Sequence, residues 1–230
     1  MIWILFIGTM ALSLWAAMRV KSVYARHNQS PVRSGITGAE VAAEILRRNG
    51  IRDVSISAEE GMLGDHYDPL NKRLVLSEAN YHGRTAAALG VAAHECGHAI
   101  QHARAYNFLH WRMAAVGITT YANYVVMFLP LLGLFTGLIA PMTGALIMAV
   151  AWGVIMLFNL VTLPVEFDAS RRAKEILADF NYIAPGEEAT AVKKVLDAAA
   201  WTYVAAFITS LAYFLWHLLP LLLGGNRSRE

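Results

Sequence analysis

The chain has 230 residues, of which 57% are hydrophobic and only 16% charged, against roughly 25% charged in an ordinary soluble domain, so a soluble enzyme is excluded. A formal net charge of +2, with no segment interleaving basic and aromatic residues, excludes nucleic acid as a partner. The single cysteine, Cys96, excludes an internal disulfide and fits a reducing compartment.

The charges are clustered. None precedes Arg19, none lies between Arg112 and Glu166, and none between Asp197 and Arg227. These gaps are long enough to cross a bilayer, whose hydrocarbon needs about 20 apolar residues as a helix. The chain therefore reads as a mostly α, multi-pass membrane protein with about four transmembrane helices, embedded in the lipid bilayer. Spans are expected near 2–18, 114–138, 144–163 and 202–222. The first lacks the basic leading segment of a cleaved signal and reads as an uncleaved anchor. The organisation is a first span in 1–20, an α+β segment in 21–112, a helical hairpin in 113–163, a helical segment in 164–200, a last span in 201–223 and a tail in 224–230.

After the first span, Thr37 and Glu40 stand at capping-box spacing, Val41, Ile45 and Leu46 make one apolar face, and Asn49-Gly50 is a stop signal. A short amphipathic helix is expected there. Val54, Ile56 and Ala58 alternate with polar residues, as do Leu74 and Leu76, with Gly61, Gly64, Asp68-Pro69 and Asn71 between the runs. That pattern predicts two strands joined by a long turn. Arg84 to Tyr106 then reads as an alanine-rich helix able to approach its neighbours closely.

This helix carries His94-Glu95-Cys96-Gly97-His98. Residues four apart share a helix face about 6 Å apart along the axis, so His94 and His98 can grip one metal ion. Glu95, offset beside them, can take a proton from a metal-bound water as general base. His102 extends the series but lies about 12 Å along the axis from His94, too far to join a site whose bonds are about 2 Å long. Cys96 points to the other side of the helix and reads as core packing. His66, Tyr67, Tyr81 and His82 are candidates for stabilising an oxyanion, each with an alternative role in a loop or cap.

The 53 uncharged residues that follow would make one helix about 80 Å long, against roughly 30 Å of hydrocarbon. The stretch must cross twice, and Ala140-Pro141-Met142-Thr143-Gly144 is the expected reversal. Two crossings return Glu166 to the membrane side of His94 and His98, which makes it the candidate third ligand. Pro164 suits the first turn of a helix, and an alternative is that Glu166 only complements that helix's dipole. Within the last span, His217 beside Trp216 reads as a snorkelling side chain.

Arg19, Lys21, Arg26, Arg104, Arg112, Arg171, Arg172, Lys174, Lys193 and Lys194 all flank the two larger polar segments, while the reversal near 140 carries no charge and the tail only Arg227 and Arg229. The positive-inside rule then places both segments in the cytoplasm and both termini outside, in the plasma membrane. Trp15, Trp111 and Trp201 fall near the expected cytoplasmic boundaries.

The sequence resembles the membrane gluzincin peptidases, and more closely the YugP-like neutral zinc metallopeptidases. The resemblance rests on Thr37-Gly38-Ala39-Glu40-Val41, Asp65-His66-Tyr67-Asp68-Pro69, Leu76-Ser77-Glu78, Tyr81-His82-Gly83-Arg84, the zinc motif, and Leu163-Pro164-Val165-Glu166-Phe167-Asp168-Ala169-Ser170. It implies a small α+β gluzincin-like core, one zinc ion per chain held by His94, His98 and Glu166, Glu95 as general base, and a peptide or protein substrate. It also implies that the strand at 72–77 is an edge for an extended peptide. Many wider gluzincins carry Asp where this chain has Ser170, a neutral hydroxyl that would tune the metal less strongly. A catalytically inactive zinc-binding membrane scaffold is the alternative reading.

Overall fold

Four helices are long and apolar enough to cross a membrane. In a computed structural model that describes residues 2–61 and 64–224, they are α1 (Ile2–His27), α5 (Asn107–Thr136), α6 (Pro141–Asp179) and α7 (Glu187–Gly224). Between α1 and α5 lie α2 (Gly38–Arg48), β1 (Ser55–Glu59), β2 (His66–Asp68), β3 (Arg73–Ser77), α3 (Glu78–Tyr81) and α4 (Ala86–Ala103). Most of the expected tail, including Arg227 and Arg229, lies outside the described residues.

Two expectations about prolines are corrected. The reversal between the middle spans runs through residues 137–140, not 140–144: Gly137 takes a left-handed φ of +62° after α5, and Pro141 opens α6. A proline at a first helical position loses no hydrogen bond, since that N–H has no intrahelical acceptor. Pro164, by contrast, lies inside the 39-residue α6. The helix continues through it although proline has no N–H to donate to the carbonyl four residues earlier. Glu166 is therefore an interior residue of α6, and the helix-dipole alternative for it falls.

Contacts divide the chain into two units, one of residues 1–14, 111–163 and 203–230 and another of 15–110 and 164–202. In the first, Ala122, Ala151 and Ile155 form a small core, the Trp152 and Tyr213 rings stack at 4.6 Å, and Asn159 Nδ2 donates to Ser210 Oγ at 3.0 Å. Large apolar side chains such as Leu134, Phe135 and Leu138 are exposed, as lipid-facing residues would be. His217 Nδ1 lies 2.8 Å from the Tyr213 carbonyl one turn back, a local helical contact.

The second unit holds the main core, in which Val41, Ile45 and Leu46 of α2 meet Leu74 and Leu76 of β3, Leu89, Cys96 and Ile100 of α4, Leu177 of α6 and Val192 of α7. The capping box forms as expected: Thr37 N–H donates to Glu40 Oε2 at 2.8 Å and Glu40 N–H to Thr37 Oγ1 at 3.1 Å. At the other end Gly50 adopts φ +75°. Trp15 and Trp201 pack edge to face at 5.7 Å.

The sheet departs from expectation. Its order is β1-β3-β2, with β1 parallel and β2 antiparallel to β3, so the expected turn contains a third strand too short to show a periodicity. Consequently β3 is the central strand and not an edge. Leu74, Val75, Leu76 and Ser77 are all buried, and an extended peptide cannot pair along it. The end of β3 is fastened by Asp65, whose carboxylate accepts from the Ser77 N–H at 2.8 Å and from Asn80 Nδ2 at 2.9 Å. Tyr24 donates to Asn80 Oδ1 at 2.7 Å, tying α1 to this network.

Candidate metal centre

The alanine-rich α4 starts at Thr85, whose hydroxyl accepts from the Ala88 N–H. Its small residues are buried on nearly every side, which allows the backbone of a neighbouring helix to come near. His94 and His98, one turn apart, place their ring centroids 4.8 Å from each other at 85°. Glu166 of α6 enters between them, its Oε2 lying 3.3 Å from His94 Nε2 and 3.6 Å from His98 Nε2.

Among the described residues these are the one group of His, Cys, Asp and Glu able to hold a metal ion, with a ligand atom from each within 4.8 Å of the others. Two ligands on a tetrahedral centre with bonds of about 2.1 Å stand about 3.4 Å apart. The two nitrogen–oxygen separations match that edge length. Two imidazoles and a carboxylate are also a donor set suited to zinc with a fourth position open. The residues present therefore fit a zinc ion.

Burial sharpens the electrostatics. Glu166 is 1% exposed and His98 8%, so their charges must be balanced locally. Burial alone pulls the His98 pKa down, but the hydrogen bond and charge of Glu166, then the charge of Glu95 and the contact with Gln101, raise it above the usual histidine value. Glu95 is 7% exposed and acts on His98 through its charge.

The outer nitrogens of both imidazoles are engaged. Ser170 Oγ lies 3.1 Å from His94 Nδ1, and Gln101 Oε1 lies 3.0 Å from His98 Nδ1. Gln101 Nε2 donates in turn to the Val165 carbonyl at 2.8 Å and to Asp168 Oδ2 at 2.9 Å, while Arg171 and Arg172 pair with the same carboxylate at 2.5 and 2.6 Å. Neither Gln101 nor Asp168 is legible as part of the site from the sequence alone, because two positions after Glu166 on a helix put Asp168 on another face. The one available signal is Gln101 itself, an amide three positions after His98 in a helix whose other polar side chains are His94, Glu95, His98 and His102.

Other candidates lie outside the cluster. His102 shares a hydrogen bond of 2.9 Å with the Tyr67 hydroxyl. Cys96 is fully buried, its thiol 3.6 Å from the Ala42 carbonyl and its pKa raised by burial. His66 contacts the Gly64 carbonyl, and the Tyr81 and His82 rings pack on each other at 4.9 Å.

A family model described as "Putative neutral zinc metallopeptidase" matches residues 2–222. The "Putative membrane protease YugP" of Bacillus subtilis (strain 168) is 42% identical over 207 residues, covering 90% of each chain. No solved structure matches.

Proposed function

Because this chain belongs to the family described as "Putative neutral zinc metallopeptidase", we propose that His94, His98 and Glu166 form the active site of a membrane-anchored zinc endopeptidase. The observation that carries the reading is the convergence of two imidazole nitrogens and a buried carboxylate oxygen within 4.8 Å. These three residues would hold the zinc, which when bound supplies Lewis-acid polarisation of a carbonyl and acidifies a water. Glu95, beside His94, is the general base that takes the proton of the attacking water. The same carboxyl group then returns that proton to the leaving amine. The substrate is a peptide or a protein chain.

The Lys and Arg bias supports an orientation with residues 21–112 and 164–200 in the cytoplasm and both termini outside, in the plasma membrane. Glu166 follows the uncharged 53-residue stretch directly, which supports a centre close to the cytoplasmic membrane surface.

The test compares detergent-purified wild type, Glu166→Ala and Glu95→Gln by metal mass spectrometry and by cleavage of a peptide library. Wild type and Glu95→Gln should each carry about one zinc per chain and Glu166→Ala much less. Cleavage should fall by about 10²- to 10⁴-fold in Glu95→Gln. Full cleavage by Glu95→Gln would overturn the mechanism. Full zinc occupancy in wild type with no cleavage of any peptide would favour a scaffold.

A further inference from the structure

Gln101 is completely buried, and each polar atom of a buried amide needs a partner of the right sense. Its Nε2 sits between the Val165 carbonyl and Asp168 Oδ2. A carbonyl only accepts, and a carboxylate paired with two guanidinium groups also accepts. The atom between them must therefore be the NH2 group, and both of its hydrogens are used. A flipped amide would set its oxygen against two acceptors.

The consequence reaches His98. With its NH2 committed, Gln101 offers the ring only a carbonyl oxygen, 3.0 Å from Nδ1. That oxygen cannot donate, so Nδ1 carries the proton. That leaves Nε2 facing Glu166 Oε2, 3.6 Å away, to offer its lone pair when a metal ion lies between them and the ring is neutral. This is the tautomer an Nε2 metal ligand requires, although neutral histidine in water favours the opposite one. His94 differs, because the Ser170 hydroxyl beside its Nδ1 can donate or accept and imposes no tautomer.

We propose that Gln101 is a positioning residue of the metal centre: clamped by Val165 and Asp168, it presets His98 for the metal and conveys the pull of the Asp168 carboxylate to that ligand. The role rests on the zinc reading above. It makes the two histidines unequal: Gln101 favours the Nδ1 proton on His98, whereas the Ser170 hydroxyl leaves His94 free to adapt. It also gives a function to Asp168, which itself touches no ligand nitrogen.

The experiment uses the full-length protein in detergent with two readouts. Ring nitrogen-15 NMR of metal-free protein at alkaline pH reads the tautomer of neutral His98, whose signal is assigned by its absence in His98→Asn. Competition with a chelator reads zinc affinity. Wild type should show Nδ1–H at His98. Gln101→Met, close in volume but without amide atoms, should shift the ring toward Nε2–H and weaken zinc binding by about 10- to 100-fold. Asp168→Asn should keep Nδ1–H, since Val165 still demands a donor, and bind zinc less than about tenfold more weakly. A purely structural Gln101 would lower thermal stability without moving the tautomer.

Nε2–H at His98 in wild type overturns the proposal, and that measurement needs no variant to fold. Equal zinc affinity in wild type and Gln101→Met overturns it while leaving the zinc reading intact. Absence of zinc from wild type defeats the zinc reading and the positioning role with it.

Discussion

Gly97 lies so close to the backbone of Ala169 that a Cβ at position 97 would stand 2.8 Å from the Ala169 carbonyl oxygen and 3.0 Å from its Cα. The glycine inside the zinc motif is thus where α4 and α6 touch, three residues from Glu166. Backbone cannot swing aside as a side chain does, so Gly97→Ala should push the helices apart. A shift of a few tenths of an ångström matters for candidate ligands spaced at 3.3 and 3.6 Å. Gly97→Ala is expected to lower stability by about 1–3 kcal/mol and to weaken zinc binding, read by thermal unfolding and chelator competition. Wild-type values for both would show that α6 accommodates a methyl group there.

Zinc removal should destabilise the same junction, because the three candidate ligands come from two helices that no covalent link joins locally. A ligand that binds only the folded state adds about 2.7 kcal/mol at a hundredfold excess over its Kd. Stripping wild type with a chelator should lower its unfolding temperature, and adding zinc should restore it. Glu166→Ala should show little zinc-dependent change. An equal zinc response in both proteins would place the stabilising metal elsewhere.

What the sequence makes legible is local. The capping box of α2 needs only Thr37 and Glu40, the His94 and His98 pair needs only helical spacing, and the spans show as gaps in charge. What it hides depends on partners far along the chain or on segments too short for a period. The three residues of β2 carry no alternation, yet they turn β3 from an edge into a central strand. Pro164 looks like a helix start because proline suits a first turn, yet the helix that contains it had already begun at Pro141. Gln101 and Asp168 are 67 positions apart, and nothing in either residue announces the other.

His102 should give the stability a pH dependence separate from the metal centre. Its pKa is lowered from the usual 6.5, first by burial and then by the charges of His110 and Lys72, with Asp53 opposing. The fold therefore prefers the neutral ring. Above pH 6.5 this has no effect; as pH falls below it, the unfolded chain takes up a proton that the folded one resists, and stability declines until His102 protonates in the fold as well. Wild type should lose more stability than His102→Gln, which cannot titrate, as the pH is lowered from 7 through the usual histidine value. Tyr67→Phe, which removes the bond to His102, should cost about 0.5–1.5 kcal/mol. Identical acid profiles for wild type and His102→Gln would remove His102 as the cause.

Orientation can be read with thiol chemistry, because the only native cysteine gives a silent background. Cys96 is fully buried, and burial raises its thiol pKa, so little reactive thiolate forms there. Glu60→Cys and Pro185→Cys place exposed thiols in the two segments that the Lys and Arg bias assigns to the cytoplasm, and Ala140→Cys places one in the uncharged reversal. A membrane-impermeant maleimide added to intact cells should label Ala140→Cys alone, with the other two reacting only after permeabilisation. Moving a charged segment across the bilayer is opposed by its basic residues, whereas residues 137–140 carry none. Labelling of Glu60→Cys and Pro185→Cys from outside would reverse the orientation. Labelling of only one of them would break the argument that Glu166 returns to the side of His94 and His98.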